Sequence, residues 1–268
     1  EGLPKARGVR MEDGSVIEAD TVLVGCSPFH AFTELMSDSP ASTELGNYQK
    51  HVQGTDMKCG AFKINCAVDS LPNFACLPND PSGDPGPQHN GTIHFESAMS
   101  EIEEAFVEAA QGIPATRPVI EMTIPSAVDP TLAPPGKHVV QFFVQYAPYD
   151  VDPSHGSWAD PAFTEAFADR VFGVVERFAP GFSASVLHRD VLSPLDLERI
   201  FNLPRGNIFH GALGLHQLAH LRPVPGYSGH RTPVAGLYVC GSGAHPGGGV
   251  MGAPGRNAAK VVLRDLGR

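Results

Sequence analysis

Six glycines, at positions 241, 243, 247, 248, 249 and 252, fall within twelve consecutive residues near the end of this chain. A stretch so poor in side chains does one kind of chemistry well. It lets main-chain N–H groups come close to a ligand, because no Cβ blocks the approach or restricts the backbone angles. The apolar run Gly236-Leu-Tyr-Val-Cys240 ahead of it has the composition of a buried strand. Behind it, Ala258, Ala259, Val261, Val262 and Leu263 predict a helix, whose first turn would add unpaired donors and the positive end of its dipole. The alternative is a structural turn between strand and helix. Gly247, Gly249 and Gly252 also satisfy G-x-G-x-x-G, but a dinucleotide fingerprint needs a βαβ unit and an acidic residue about 20 positions later. Only positions 253–268 remain for it. No G-x-x-x-x-G-K-[ST] phosphate loop occurs either.

Other candidate chemistry is thin. His245 sits inside the glycine stretch, either as a polar contact to a bound group or as a loop residue turned away ahead of Pro246. His216 and His220 have the i, i+4 spacing of two metal ligands, with no Glu between them and no evident third ligand, so no metal site is expected. Ser242 lies in Cys240-Gly-Ser-Gly-Ala244, which is not a G-x-S-x-G nucleophile elbow. Five cysteines (26, 59, 66, 76 and 240) form no CxxC pair and predict reduced thiols.

Three segments together resemble the C-terminal FAD-binding region of phytoene desaturase-like flavoproteins. They are Arg222-Pro223, Thr232-Pro-Val-Ala-Gly-Leu-Tyr-Val-Cys-Gly241 and Gly243-Ala-His-Pro-Gly-Gly-Gly-Val-Met-Gly252. Ser193-Pro-Leu-Asp-Leu-Glu198 resembles the same family's S-P-x-D-x-E segment. The resemblance runs over the whole chain and is tightest from about Val191. It implies FAD as cofactor, bound by Gly241, Ser242, Gly243, His245, Gly247, Gly248, Gly249, Val250, Met251 and Gly252. The N–H groups of Val250, Met251 and Gly252 would stabilise negative charge on the reduced flavin's pyrimidine edge. Ser242 stands where many flavoproteins carry an acid that binds the ribityl chain, leaving a neutral hydrogen bond. The implied activity is FAD-dependent dehydrogenation or desaturation, a hydride leaving an apolar small molecule, with His245 the one candidate catalytic side chain. A mitochondrial location is implied by the resemblance alone, the cytoplasm being the alternative. A second reading is a non-catalytic scaffold or regulator of mitochondrial function acting through protein partners, since no acid-base set is evident.

The elements that must position the loop follow from pattern. Gly8-Val, Asp13-Gly14 and Ile17-Glu-Ala-Asp-Thr-Val22 predict a hairpin and a strand. They resemble the strand pair by which family members return to their FAD domain. The family's Rossmann β-α-β, which holds the ADP end of FAD, has no counterpart here. The chain, which opens at Glu1-Gly2 without an initiator Met, is therefore expected to be the C-terminal part of a longer flavoprotein, with that N-terminal half as partner. The expected fold is α/β plus α+β in three stretches: 1–28 as returning strands, 29–205 as a substrate domain with helices on one face of a sheet, and 206–268 completing the FAD domain.

Within 29–205, alternation of Phe62, Ile64, Cys66 and Val68 predicts a half-buried strand with Cys66 facing inward. Ser100-Glu-Ile-Glu103 matches a capping box opening a helix with Ile102, Ala105, Phe106 and Ala109 on its inner face. The apolar run 138–146 suggests a strand buried on both sides. Asp160-Pro161 and Ser193-Pro194 predict two further helix starts.

The composition agrees with a folded, loop-rich protein: 42% hydrophobic, with 29 Gly and 25 Pro in 268 residues. A formal charge of −10 argues against sequence-independent binding to nucleic acid or anionic membranes. No apolar run reaches the length of a membrane span.

Overall fold

The computed structural model describes residues 3–39, 41 and 45–268; Glu1 and Gly2 lie outside the described residues. The chain divides into two compact units, Glu1–Lys58 with Asn202–Arg268, and Cys59–Phe201. The divisions differ from the expected boundary after residue 28: residues 29–58 belong to the first unit. Their apolar side chains explain this, because Phe32, Leu45, Tyr48 and Val52 pack with Val224, Val234, Leu237 and Val239 in one core. Tyr48 stacks edge-on against Phe32 and Tyr227, with ring centroids 4.8 and 4.9 Å away.

The described residues form nine strands: β1 (Gly8–Arg10), β2 (Val16–Glu18), β3 (Val22–Val24), β4 (Phe62–Val68), β5 (Ile93–His94), β6 (Val119–Thr123), β7 (His138–Gln145), β8 (Val186–Leu192) and β9 (Leu237–Val239). In the first unit, β1 and β2 form the antiparallel hairpin expected around Asp13-Gly14. Asp13 accepts hydrogen bonds from the Ser15 N–H and hydroxyl, and Gly14 takes φ = 83°. β3 pairs in parallel with β9, Val22 opposite Leu237 and Val24 opposite Val239. Residues from the two ends of the chain thus share one sheet. After β3 the chain makes a single α turn, Pro28–His30, running into a π-helical turn, Ala31–Leu35.

The second unit is built on an antiparallel sheet in the order β5-β6-β7-β4-β8. β4 runs down its centre with the predicted alternation: Phe62, Ile64, Cys66 and Val68 are all buried. They meet Phe142, Val140 and Val144 of β7, and Phe167, Val171 and Val175 of the helix Pro161–Phe178. Asp160 caps that helix through the Ala162 N–H, and Pro161 occupies its first turn.

Three expectations are corrected here. β7 is not buried on both sides: Val140, Phe142 and Val144 are buried, whereas Val139, Gln141 and Phe143 are half-buried on the opposite face. The helix Met99–Ala110 starts two residues earlier than the anticipated box, with N-cap Ala98, and Glu101 accepts bonds from the Ser97 N–H and hydroxyl in place of the Ser100–Glu103 pair. Of its supposed inner face only Ala105 is buried, while Ile102 and Phe106 are exposed. Helices are also not confined to one side of the sheet. Ala105 packs against Val119, whose neighbour Ile120 points into the main core, so this helix touches the opposite face.

Candidate functional site

The glycine loop belongs to the first unit, running from the end of β9 to the helix Ala253–Asp265. All three residues of β9 are buried, which anchors the start of the loop. Ala258 and Val262 bury one stripe of the helix, which anchors its end. Gly252 caps the helix in the left-handed conformation, φ = 66°, and Arg256 N–H donates to its carbonyl. Pro254 fits the first turn, where its missing N–H costs nothing.

The glycines serve two different purposes. At 241 a Cβ would lie 2.1 Å from the Gly25 carbonyl oxygen, and at 243 it would lie 2.3 Å from Pro28 and 3.2 Å from His210. At 248 it would meet Phe209 at 2.9 Å and Ser242 at 3.3 Å. Close packing of the chain on itself therefore demands glycine at these three positions. Gly247, Gly249 and Gly252 take positive φ values of 126°, 145° and 66°, which L side chains rarely adopt. Val250 also has positive φ, 55°, and both it and Met251 point outward and are exposed. Within the loop, Ala244 N–H donates to the Gly241 carbonyl. Among the described residues, no backbone acceptor meets the amides of 247–252.

Some buried polar atoms near this loop lack partners. Five such side-chain atoms occur among the described residues, and all are in the first unit: Ser27 Oγ, Tyr48 Oη, His210 Nδ1, Arg222 Nη1 and His245 Nδ1. Ser27 precedes the Pro28 that abuts Gly243, and His210 abuts the same glycine. Arg222 Nη1 lies 3.8 Å from where a Cβ on Gly247 would stand. Buried groups left unpaired in this way are costly, so a polar partner outside the protein is called for. Burial, and then the nearby Arg222 charge, push the His210 imidazole below its ordinary range, so it is neutral at pH 7. His245 is half-buried in the loop, beside the buried His230, whose Nδ1 contacts the Val239 carbonyl.

Several residues singled out by sequence are structural. Ser193 and Asp196 cap each other: Asp196 N–H donates to Ser193 Oγ, while the Ser193 N–H and hydroxyl donate to Asp196. Glu198 of the same segment accepts from the Tyr149 hydroxyl. His216 and His220 fall on two separate 3-10 turns, Leu215–Gln217 and Ala219–Leu221, not on one helical face. Phe209, His210 and Arg222, which stand beside the loop glycines, were not among the site candidates; Arg222-Pro223 carried a sequence signal as part of a motif without an assigned role.

The chain matches no protein-family profile. The mouse pyridine nucleotide-disulfide oxidoreductase domain-containing protein 2 is 49% identical to it over 263 residues, 98% of this chain and 44% of that protein. This chain is a relative of that protein. A limonene dehydrogenase component of Castellaniella defragrans is 34% identical over 154 residues, 54% of this chain and 27% of the relative. The lycopene-forming phytoene desaturase of Pseudescherichia vulneris is a weaker relative, 24% identical over 262 residues, 96% of this chain and 48% of that one. The likeness to phytoene desaturases thus extends over nearly the whole chain. The chain spans less than half the length of these relatives. Its fold is shared with a crystal structure of an oxidoreductase from Methanosarcina mazei, with a TM-score of 0.55 at 22% identity, covering 97% of this chain and 46% of the other. Among the described residues no helix is long and apolar enough to cross a membrane.

Proposed function

We propose that the loop 241–252 holds the flavin end of FAD, and that the protein at its full natural length is an FAD-dependent oxidoreductase removing a hydride from an apolar small molecule. The observation that carries this reading is the set of orphaned buried atoms of Ser27, His210, Arg222 and His245 near a loop whose amides at 247–252 meet no backbone acceptor. A donor-rich, carboxylate-free set of this kind fits a large polar cofactor bearing phosphates and a ring that becomes anionic on reduction. The flavin, when bound, supplies the hydride acceptor. The chain's own residues would bind and orient it: the amides of Val250, Met251 and Gly252 donate to its polar edge, backed by the helix Ala253–Asp265. Ser242 offers a neutral hydrogen bond, and Gly247 and Gly249 keep the approach open. An apolar substrate is supported by the names of two relatives, which refer to limonene and phytoene, both hydrocarbons.

The ADP end of FAD, in this reading, is held by sequence outside this chain, in an N-terminal half that completes the parallel pair β3-β9. Support comes from the short span of the chain against its relatives. The first unit would be the C-terminal portion of the FAD domain and the second the substrate domain. A mitochondrial location rests on the family resemblance. The full-length protein, purified, should carry the visible absorbance of bound flavin at near one-to-one stoichiometry. A folded, colourless protein that takes up no added FAD would overturn the proposal and favour the non-catalytic reading.

A further inference from the structure

We infer that Arg222 supplies the positive charge that meets the anionic part of the cofactor at the glycine loop, through the guanidinium edge that no protein group occupies. The inference rests on the flavin reading above and assigns the Arg-Pro motif a task within it.

Arg222 is only 3% exposed, yet no carboxylate accompanies it among the described residues. Its Nη2 donates to the carbonyls of Phe209 and Gly211, at 2.6 and 3.1 Å, which fixes one edge of the planar group. Nη1 is buried and unpartnered. That free edge is turned towards Gly247, the first glycine of the run 247–249, and beside it the His210 ring has its own unpartnered Nδ1. Arg222, His210, Thr55, Gln217, Pro28 and Gly243 line a small hollow at this point. Gln217 is already satisfied, donating to the carbonyls of Asp56 and Ala212 and accepting from the Asp56 N–H. The hollow's unpaired groups are therefore the guanidinium and the neutral imidazole.

A buried cation held by two carbonyls and no counter-ion is an expensive arrangement on its own. It becomes favourable when an anion completes it, and a guanidinium anchored on one side presents its remaining N–H groups in a fixed plane suited to phosphate oxygens or to an anionic ring edge. The carbonyl anchors of Phe209 and Gly211 then act as positioning groups, and Gly247, whose φ of 126° favours glycine, passes beside the free edge. Two parts of the cofactor carry negative charge: the diphosphate at all times, and the pyrimidine edge of the ring once reduced.

The test uses the full-length protein and the Arg222→Met variant, which keeps length and removes charge. FAD and riboflavin affinities and the two-electron midpoint potential of bound flavin are measured. Arg222→Met should bind FAD about ten- to hundredfold more weakly. If riboflavin affinity is unchanged, the charge met is the diphosphate. If instead the midpoint potential falls, it is the reduced ring. A simple packing role would move neither the FAD-to-riboflavin ratio nor the potential. Wild-type FAD affinity with an unchanged potential in Arg222→Met would overturn the inference and leave the flavin reading intact. A wild-type protein that takes up no flavin would overturn both. Should Arg222→Met fail to fold, the guanidinium 15N resonances of the wild-type protein, assigned with Arg222→Lys, replace it. Added FAD must then shift the Arg222 signal, and an unmoved signal refutes the inference.

Discussion

Gly248 and Gly249 are neighbours under opposite constraints, and the difference decides how the loop should be probed. A methyl group on Gly248 looks harmless in the sequence, yet its carbon would sit 2.9 Å from the Phe209 ring, so Gly248→Ala perturbs packing. Gly249 has φ = 145°, and the nearest atom to an added Cβ is the flexible end of Met251 at 2.7 Å. Gly249→Glu is therefore costly through backbone conformation, about 1–3 kcal/mol, and through a carboxylate set among groups arranged for an anion. Flavin content should fall at least about a hundredfold in affinity terms, with the far-UV circular dichroism of the second unit retained. Gly255→Ala, inside the helix with nothing within 4 Å, is the proper control and should bind flavin normally. Full flavin occupancy in Gly249→Glu would reduce the loop to a structural turn. A second residue-scale prediction concerns thiols. Burial pushes the Cys66 thiol up to about 12, while Cys76 is exposed. Cys76 should react with a maleimide far faster than Cys66 in the folded protein. Because Cys66 keeps its proton more tightly when folded, its contribution to stability is complete below the ordinary thiol range and is lost as pH rises towards 12. Cys66→Val should flatten that alkaline decline in a denaturation series.

At the scale of elements, the Ser193–Asp196 pair separates structural from functional motif. The segment resembles a family signature, yet the bonds between Ser193 and Asp196 close the first turn of the helix Pro194–Phe201. Ser193→Ala should destabilise the second unit by about 1–2 kcal/mol, read as a lower urea midpoint with unchanged slope. Flavin affinity of the full-length protein should stay at the wild-type level. A loss of flavin without loss of stability would return the segment to the site.

For the whole molecule, β3 and β9 form a parallel pair with no further strand among the described residues. Parallel strands are usually buried within larger sheets. Leu3, Val9, Val16, Ile17 and Leu23, in and around the N-terminal strands, are exposed. The 268-residue chain by itself should bind FAD no tighter than micromolar in calorimetry, and the full-length protein much more tightly. Sub-micromolar binding by the isolated chain would show that the loop and its surroundings suffice.

Local patterns determined a great deal. The hairpin at Asp13-Gly14, the inward parity of Cys66, the caps at Asp160 and Ser193, and the order strand, glycine loop, helix in 236–265 depend on neighbours in sequence, so periodicity and turn chemistry carry them. The phytoene desaturase-like kinship was legible for the same reason, since its motifs are contiguous. Three things needed the tertiary structure. Residues 29–58 join the first unit because Phe32, Tyr48 and Val52 find their core beside Val234 and Leu237, a contact between distant parts of the chain. The helix Met99–Ala110 keeps an apolar face exposed because only Ala105 meets the sheet, something its own periodicity does not reveal. The unpaired edge of Arg222 exists because Phe209 and Gly211, folded back over it, claim one side of the guanidinium and leave the other to the loop.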